Sequence, residues 1–346
     1  MKRISIIIPC YNVEAYIDRC FDSLCQQTIG LNQMELIFVN DASTDGTLQK
    51  LLFYEREYPN DILVINFEEN RKQGAARNVA LTYATAPYIG YVDSDDVIES
   101  DMFEKMLDAI ETYDCDFVQC RWDSIDTLGS RKMTKPWKHP GYQDLTNEEI
   151  RQWFISTSVR LVSVCDKVYK RDFLVRNGIY CPEGVMCEDV FFSHMVFAAA
   201  KSVYCMDDIL YHYYINSNGT MQKRKVNYQE DVMAVSVEFL QACKERGLYA
   251  ERKDEIEWFF LENFYVYLLW EMFSVLPEQS YVYYQIMKET IQDMVPDYKT
   301  NVYRSLEGNE FDNLMLRLLD YELSEEQFLQ LRDNMLSKMN MANAEN

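Results

Sequence analysis

The sequence predicts an α/β protein: a mostly parallel sheet with helices on both faces, followed by an α-helical C-terminal region. Three observations carry this. Over the first 120 residues, short apolar runs alternate with stretches of helical periodicity. Each apolar run ends in a polar, turn-forming segment. From about Val226 helical periodicity dominates and glycine becomes rare. A length of 346 residues corresponds to roughly two domains of about 150 residues. The expected division is 1–220 and 221–346, with the boundary near Ser217 to Val226.

Ile4 to Ile8 is continuously apolar, as a strand buried on both faces requires. Val13, Tyr16, Ile17, Cys20, Phe21 and Leu24 recur at helical spacing. Leu36 to Val39 is a second strand. Thr47 to Tyr58 is a helix entered through Asp45-Gly46. Ile62 to Ile65, Ala75 to Tyr83, Tyr88 to Val92 and Met102 to Tyr113 continue as strand, helix, strand and helix. Residues 121–160, with Gly129, Pro136, Pro140 and Gly141, read as loops and short helices. A turn at Pro182-Glu183-Gly184 precedes a helix opening at Cys187-Glu188-Asp189. Val203 to Tyr214 is a last strand or strand pair. Beyond it, Val232, Val235, Phe239, Leu240 and Cys243 share one helical face, and Trp258 to Phe273 is apolar almost all round.

Composition excludes several classes. With 34 basic and 56 acidic residues the net charge is −22, which argues against nucleic acid as a partner. It also disfavours electrostatic docking on an anionic bilayer. A hydrophobic share of 48% excludes global disorder. The run from Ile4 stops at Pro9, too short for a signal peptide, and no uncharged apolar stretch has the roughly 20 residues of a spanning helix. A cytoplasmic chain is therefore expected, its ten cysteines reduced and mostly buried. No Cys-x-x-Cys pair and only three histidines make a zinc site unexpected.

In parallel α/β sheets, ligands bind beyond the carboxyl ends of the strands. Those positions hold Pro9-Cys10-Tyr11-Asn12, Asn40-Asp41-Ala42-Ser43, Glu68-Glu69-Asn70 and Asp93-Ser94-Asp95-Asp96. Neither Gly-x-Gly-x-x-Gly nor Gly-x-x-x-x-Gly-Lys follows the first strand, so a dinucleotide site and a P-loop are not expected. Three carboxylates within Asp93 to Asp96 repel one another unless a cation or donors offset them. They suit Mg²⁺ or Mn²⁺ with phosphate oxygens completing the shell. Taken alone, the same acids also suit a solvated, helix-capping turn before Met102.

Four ordered segments resemble glycosyltransferase family 2, whose catalytic domain has the GT-A fold. They are Ser5 to Asn12, Val39 to Thr47, Asn70 with Gly74-Ala75-Ala76-Arg77-Asn78, and Tyr91 to Asp96 with its Asp-x-Asp. Cys165-Asp166-Lys167-Val168-Tyr169 and the Glu-Asp pair of Cys187-Glu188-Asp189 extend the likeness to about residue 220. The resemblance implies an inverting transfer from a nucleotide-sugar, a UDP-sugar, to a glycan or lipid-linked glycan in cell-surface polymer synthesis. It implies that Asp95 holds Mn²⁺ or Mg²⁺, with Asp93 sharing the ion or binding the ribose and Asp96 as a third acid. Asp41 reads the base, Pro9 and Tyr11 line its pocket, and Asn70 and Arg77 fix the nucleotide or its phosphates. Asp189, with Glu188 beside it, is the general base. The residues themselves leave alternatives open: Pro9 ending a strand, Asp41 and Ser43 capping a turn, Arg77 pairing with Glu68 or Glu69, and Glu188 and Asp189 as first-turn acids.

Lys223, Arg224 and Lys225 form the basic cluster near the expected end of this domain, placed either as a diphosphate clamp or as solvated loop. His194 and His212 are expected to be packing residues. The aromatic helix from Trp258 is expected to serve as core or homodimer contact, with peripheral association at the inner face of a membrane as the alternative. Two rival functions remain: a nucleotidyltransferase acting on sugar phosphates, and a non-catalytic nucleotide-sugar binding scaffold.

Overall fold

The protein is described from a computed structural model covering residues 2–158, 162–216, 227–275, 279–306 and 310–344. It divides into two compact units, residues 1–154 with 160–228, and residues 155–159 with 229–346. The stretch 217–226, where the boundary was expected, lies outside the described residues, as do Lys223, Arg224 and Lys225.

Among the described residues of the first unit, ten strands form one sheet: β1 Ile4–Cys10, β2 Met34–Asn40, β3 Ile62–Asn66, β4 Tyr88–Tyr91, β5 Val97–Ile98, β6 Phe117–Ile125, β7 Arg131–Met133, β8 Gly141–Asp144, β9 Lys167–Lys170 and β10 Ser202–Tyr214. The order is β3-β2-β1-β4-β9-β6-β10-β5, with β7 on β6 and β8 on β10. Strands β3, β2, β1 and β4 run parallel, and the register sets Cys10 beside Asn40 and Ile7 beside Tyr91. Their carboxyl ends therefore open on one edge. All seven residues of β1 are buried, which is why an unbroken apolar run encodes it. The far half of the sheet is mixed: β9 is antiparallel to both β4 and β6, whereas β6 and β10 are parallel.

The helices of this unit are α1 Ile17–Cys25, α2 Thr47–Glu57, α3 Lys72–Tyr83, α4 Met102–Tyr113, α6 Arg171–Arg176 and α7 Glu188–Ala199, together with the start of α5 Glu148–Ser158, whose residues from Ile155 on belong to the second unit. The stretch expected to be loops and short helices is more regular than its composition indicates. It holds most of β6, then β7 and β8, and α5 is a single helix. The reason is polar side chains buried in pairs inside β6. Gln119 donates to Asp166 Oδ2 at 2.9 Å, and Asp123 faces His212 at 2.7 Å. Hydrogen bonds between such partners offset the cost of burying them, and the strand loses its apolar signature. Lys167 of β9 is fully buried, with its Nζ 2.7 Å from Asp166 Oδ1.

The second unit contains α8 Asn227–Glu245, α9 Leu248–Glu251, α10 Lys253–Leu261, α11 Leu268–Val275, α12 Ser280–Met294, α13 Glu310–Arg317 and α14 Glu325–Ala344. Between α10 and α11 the helix widens to a π-turn over Glu262–Tyr267. Trp258, Phe259, Phe260, Phe264 and Tyr265 are buried. Trp258 stacks on Tyr303 at 5.9 Å and Phe260 on Phe264 at 4.7 Å, so these aromatics are core. No described helix is long and apolar enough to cross a membrane. All ten cysteines are free, nine of them buried.

Candidate active site

The edge beyond β1, β2 and β4 is built from interlocking loops. Asn12 and Ala42 both take left-handed backbone, at φ 53° and 55°, and so turn the chain sharply just past β1 and β2. Asn12 then accepts from Thr44 N at 2.8 Å and its own N–H donates to Ser43 Oγ at 3.0 Å. Val13 N donates to Thr47 Oγ1 at 2.9 Å, and Gly46 N to Glu14 Oε2 at 2.8 Å. The polar residues after the first strand thus satisfy those after the second. Between them lies Asp41, buried, accepting from Arg71 N at 2.7 Å. Burial raises its carboxyl above the ordinary range. Asn70 Nδ2 donates to the Asp41 carbonyl at 3.3 Å. Pro9 is buried in β1, whereas Tyr11 is half exposed at this edge.

Helix α3 explains the Gly-x-x-Arg-Asn spacing of Gly74 to Asn78. A Cβ at Gly74 would lie 2.2 Å from the Pro182 carbonyl oxygen, so only glycine admits this approach. One turn later, Asn78 clasps the Cys181 backbone, donating to its carbonyl at 2.8 Å and accepting from its N–H at 2.9 Å. Arg77, buried, reaches between two acids. Its Nη2 donates to Asp93 Oδ1 at 2.9 Å, and its Nη1 pairs with Glu188 at the start of α7. Arg77 is therefore not an open phosphate ligand, and its partners are neither Glu68 nor Glu69. It joins the carboxylate turn after β4 to the Glu-Asp pair of α7.

Asp189 follows at the first turn of α7 and is half-buried. Val190 N donates to its Oδ1 at 2.9 Å, while Oδ2 has no partner among the described residues. Burial, reinforced by the neighbouring Glu188 charge, pushes its carboxyl up to about 7. In the turn, Asp95 is raised to about 6 by burial and by Asp93, against a hydrogen bond from Asn216. Asp96 stands apart from its neighbours. Its Oδ2 accepts from Tyr211 Oη at 2.6 Å and its Oδ1 from Tyr214 N at 2.8 Å, so both oxygens brace the turn against β10. Arg19 donates to the Asp95 carbonyl and stacks on the Tyr214 ring at 3.8 Å.

Two residues at the mouth have no counterpart in the sequence reading. Arg71 pairs with Glu183 at 2.9 Å, and Lys72, at φ 65°, donates to the Gly184 carbonyl at 2.5 Å. The signal for them was their place immediately after Asn70, at the start of α3.

Among the described residues, no group of three or more His, Cys, Asp or Glu side chains is arranged to hold a metal ion. Asp95 and Asp93 still fit a hard divalent ion. Magnesium-type sites take one or two carboxylates and complete the shell from water and substrate phosphates.

Residues 5–174 match the profile of Glycosyl transferase family 2. An uncharacterized glycosyltransferase of Escherichia coli K12, YibD, is 28% identical over 68% of this chain and 69% of its own length. A poly(ribitol-phosphate) β-glucosyltransferase of Bacillus spizizenii is 28% identical over 75% of this chain, a match spanning only 40% of that protein. The crystal structure of Staphylococcus aureus TarS 1–349 superposes with a TM-score of 0.71 over 97% of this chain and 92% of TarS 1–349, at 23% identity. The same protein in complex with UDP-GlcNAc superposes at 0.59 over 86% of this chain and 91% of its own, at 22% identity.

Proposed function

Because this chain carries a family 2 glycosyltransferase domain with the GT-A fold, we propose that it transfers a sugar, with inversion, from a UDP-linked donor to a hydroxyl of a cell-surface glycan or polyol-phosphate polymer. The observation that carries this reading is Arg77. By holding Asp93 and Glu188 at once, it fixes the donor side and the acceptor side of the reaction in a single constellation. The S. aureus complex with UDP-GlcNAc and the poly(ribitol-phosphate) relative support the donor and acceptor classes.

The uracil sits at Asp41 between Pro9 and Tyr11, and Asn70 keeps the Asp41 backbone in place. Asp95 and Asp93 are the residues that would hold Mn²⁺ or Mg²⁺. Asp96 is left out of the ligand set because β10 already occupies its two oxygens. When bound, the ion neutralises the diphosphate leaving group without a proton transfer. Asp189 accepts the acceptor's hydroxyl proton through Oδ2. The hydroxyl oxygen then bonds to the anomeric carbon as the bond from that carbon to the diphosphate breaks, and UDP departs. A carboxyl poised near 7 suits a base working near neutrality. Glu188 is paired with Arg77 and positions Asp189 instead of sharing its proton.

A thermal-shift screen of nucleotide-sugars with and without Mn²⁺, followed by product analysis, tests the proposal. A UDP-sugar should raise the melting temperature only with the metal, and turnover should release UDP. Release of pyrophosphate would instead identify a nucleotidyltransferase. Binding without turnover across a donor and acceptor panel would identify a scaffold.

A further inference from the structure

His212, expected to be a packing residue, is buried and also makes two polar contacts. The ring is buried in β10 between two carboxylates. Nδ1 lies 2.7 Å from Asp123 Oδ1 on β6, and Nε2 lies 2.9 Å from Glu99 Oε1, just past β5. Both ring nitrogens thus lie within hydrogen-bonding distance of a carboxylate oxygen. Asp123 is almost fully buried and takes a further contact from Arg131 at 3.4 Å, whereas the Glu99 side chain is 48% exposed. The imidazole therefore runs from the fixed interior of the sheet to the exposed downstream flank of the Asp93–Asp96 turn.

The same stretch of β10 holds the rest of that turn. β5 pairs antiparallel through Tyr211 with Ile98 and His212 with Val97, and Glu99 N donates to the Leu210 carbonyl at 2.9 Å. Upstream, Tyr211 Oη accepts from Asp93 N at 3.2 Å and donates to Asp96. Both flanks of the turn are thus tied to residues 210–214, leaving Asp93 and Asp95 as its outward acids. An exposed acid contributes little to stability through an ion pair, so the Glu99 contact needs another reason to exist. Fixing the geometry of the acids upstream of it is such a reason.

We propose that His212 is a positioning residue that, through Asp123 and Glu99, holds the carboxylate turn in the geometry that binds the metal–nucleotide. The proposal rests on the reading that Asp95 and Asp93 hold the ion against UDP. The test is calorimetric titration of the full chain with UDP in the presence of Mn²⁺, alongside melting temperatures, for the wild type, Glu99→Ala, Glu99→Gln and His212→Gln. Partners that orient metal ligands typically matter by tenfold or more, so Glu99→Ala should weaken UDP binding about tenfold. Its melting temperature should stay near wild type because the side chain is exposed. Glu99→Gln keeps a hydrogen-bonding group for Nε2, since an amide both donates and accepts, and should stay within about twofold of wild type. His212→Gln should follow Glu99→Ala, and if it does not fold, the Glu99 pair decides. Unchanged binding in both Glu99 variants overturns the proposal. Equal weakening in both also overturns it, because that reports lost charge and not lost geometry. If the wild type shows no Mn²⁺-dependent UDP binding, the reading of the turn itself fails and the inference falls with it.

Discussion

Arg77 is a buried cation held by two acids that sit 16 residues and 111 residues away in sequence. Its removal leaves both acids without their partner. Arg77→Gln should therefore cost about 3–5 kcal/mol, read as a fall in the denaturant midpoint. Arg77→Lys keeps the charge but loses the fork that reaches both acids at once. It should fold with a smaller loss and still transfer sugar slowly, because Glu188 no longer seats Asp189. Equal stability of the lysine variant and the wild type would show that the second contact adds nothing. Asp189 gives a prediction with a sign in pH. Its carboxyl is raised to about 7 in the fold, against about 3.9 in an unfolded chain. The folded state thus binds the proton more tightly, and stability falls as pH rises between those two values and levels off above the higher one. Asp189→Asn removes this cost. It should melt above wild type at about pH 8, and the gap should shrink as pH falls toward about 5. The variant should still bind UDP yet transfer nothing, while wild-type transfer should climb with pH through about 7. Retained transfer in Asp189→Asn would remove it as the base.

Helix α3 shows how an element turns a short motif into a site. Gly74 allows contact with the Pro182 carbonyl, Asn78 grips the Cys181 backbone, and Arg77 between them faces inward. Gly74→Ala would drive a methyl into a backbone oxygen at 2.2 Å, and backbone cannot swing aside as a side chain can. The helix and the 181–183 segment must part, moving Glu188 relative to Arg77. The expected result is a lower melting temperature together with transfer at least tenfold slower, about 1.4 kcal/mol in barrier. A variant that lost stability alone would confine Gly74 to packing. The spacing of this motif was legible in the sequence, but the partners were not, because Glu188 meets Arg77 only through the fold. The same limit hid β6 and β9. Strands β1 to β4 announce themselves by apolar runs. Gln119, Asp123 and Lys167 are polar yet buried, since each meets its partner from another segment. The interlock of Asn12 to Glu14 with Ser43 to Thr47 is of the same kind. Both stretches were visible as strand-end loops, but the bonds between them belong to the three-dimensional arrangement.

At the scale of the whole molecule, the charge of −22 bears on how an anionic donor is held. The described cations around the edge are already committed: Arg77 to Asp93 and Glu188, Arg71 to Glu183, and Arg19 to the turn's backbone. In the proposed reading, the reversal of sign needed for a diphosphate comes from the metal held by Asp95 and Asp93. Direct coordination acts at contact range, where added salt screens little. The long-range repulsion between the acidic surface and UDP is screened, as the Debye length shrinks from about 10 Å at 0.1 M salt to about 3 Å at 1 M. A diphosphate held by Lys223, Arg224 and Lys225 would behave in the opposite way, losing affinity as salt weakens attraction between exposed charges. UDP affinity measured with saturating Mn²⁺ across that salt range should therefore change by less than about threefold, while chelation of the metal abolishes binding. A steep decline with salt, or binding that survives the chelator, would move the diphosphate from the carboxylate turn to the basic cluster.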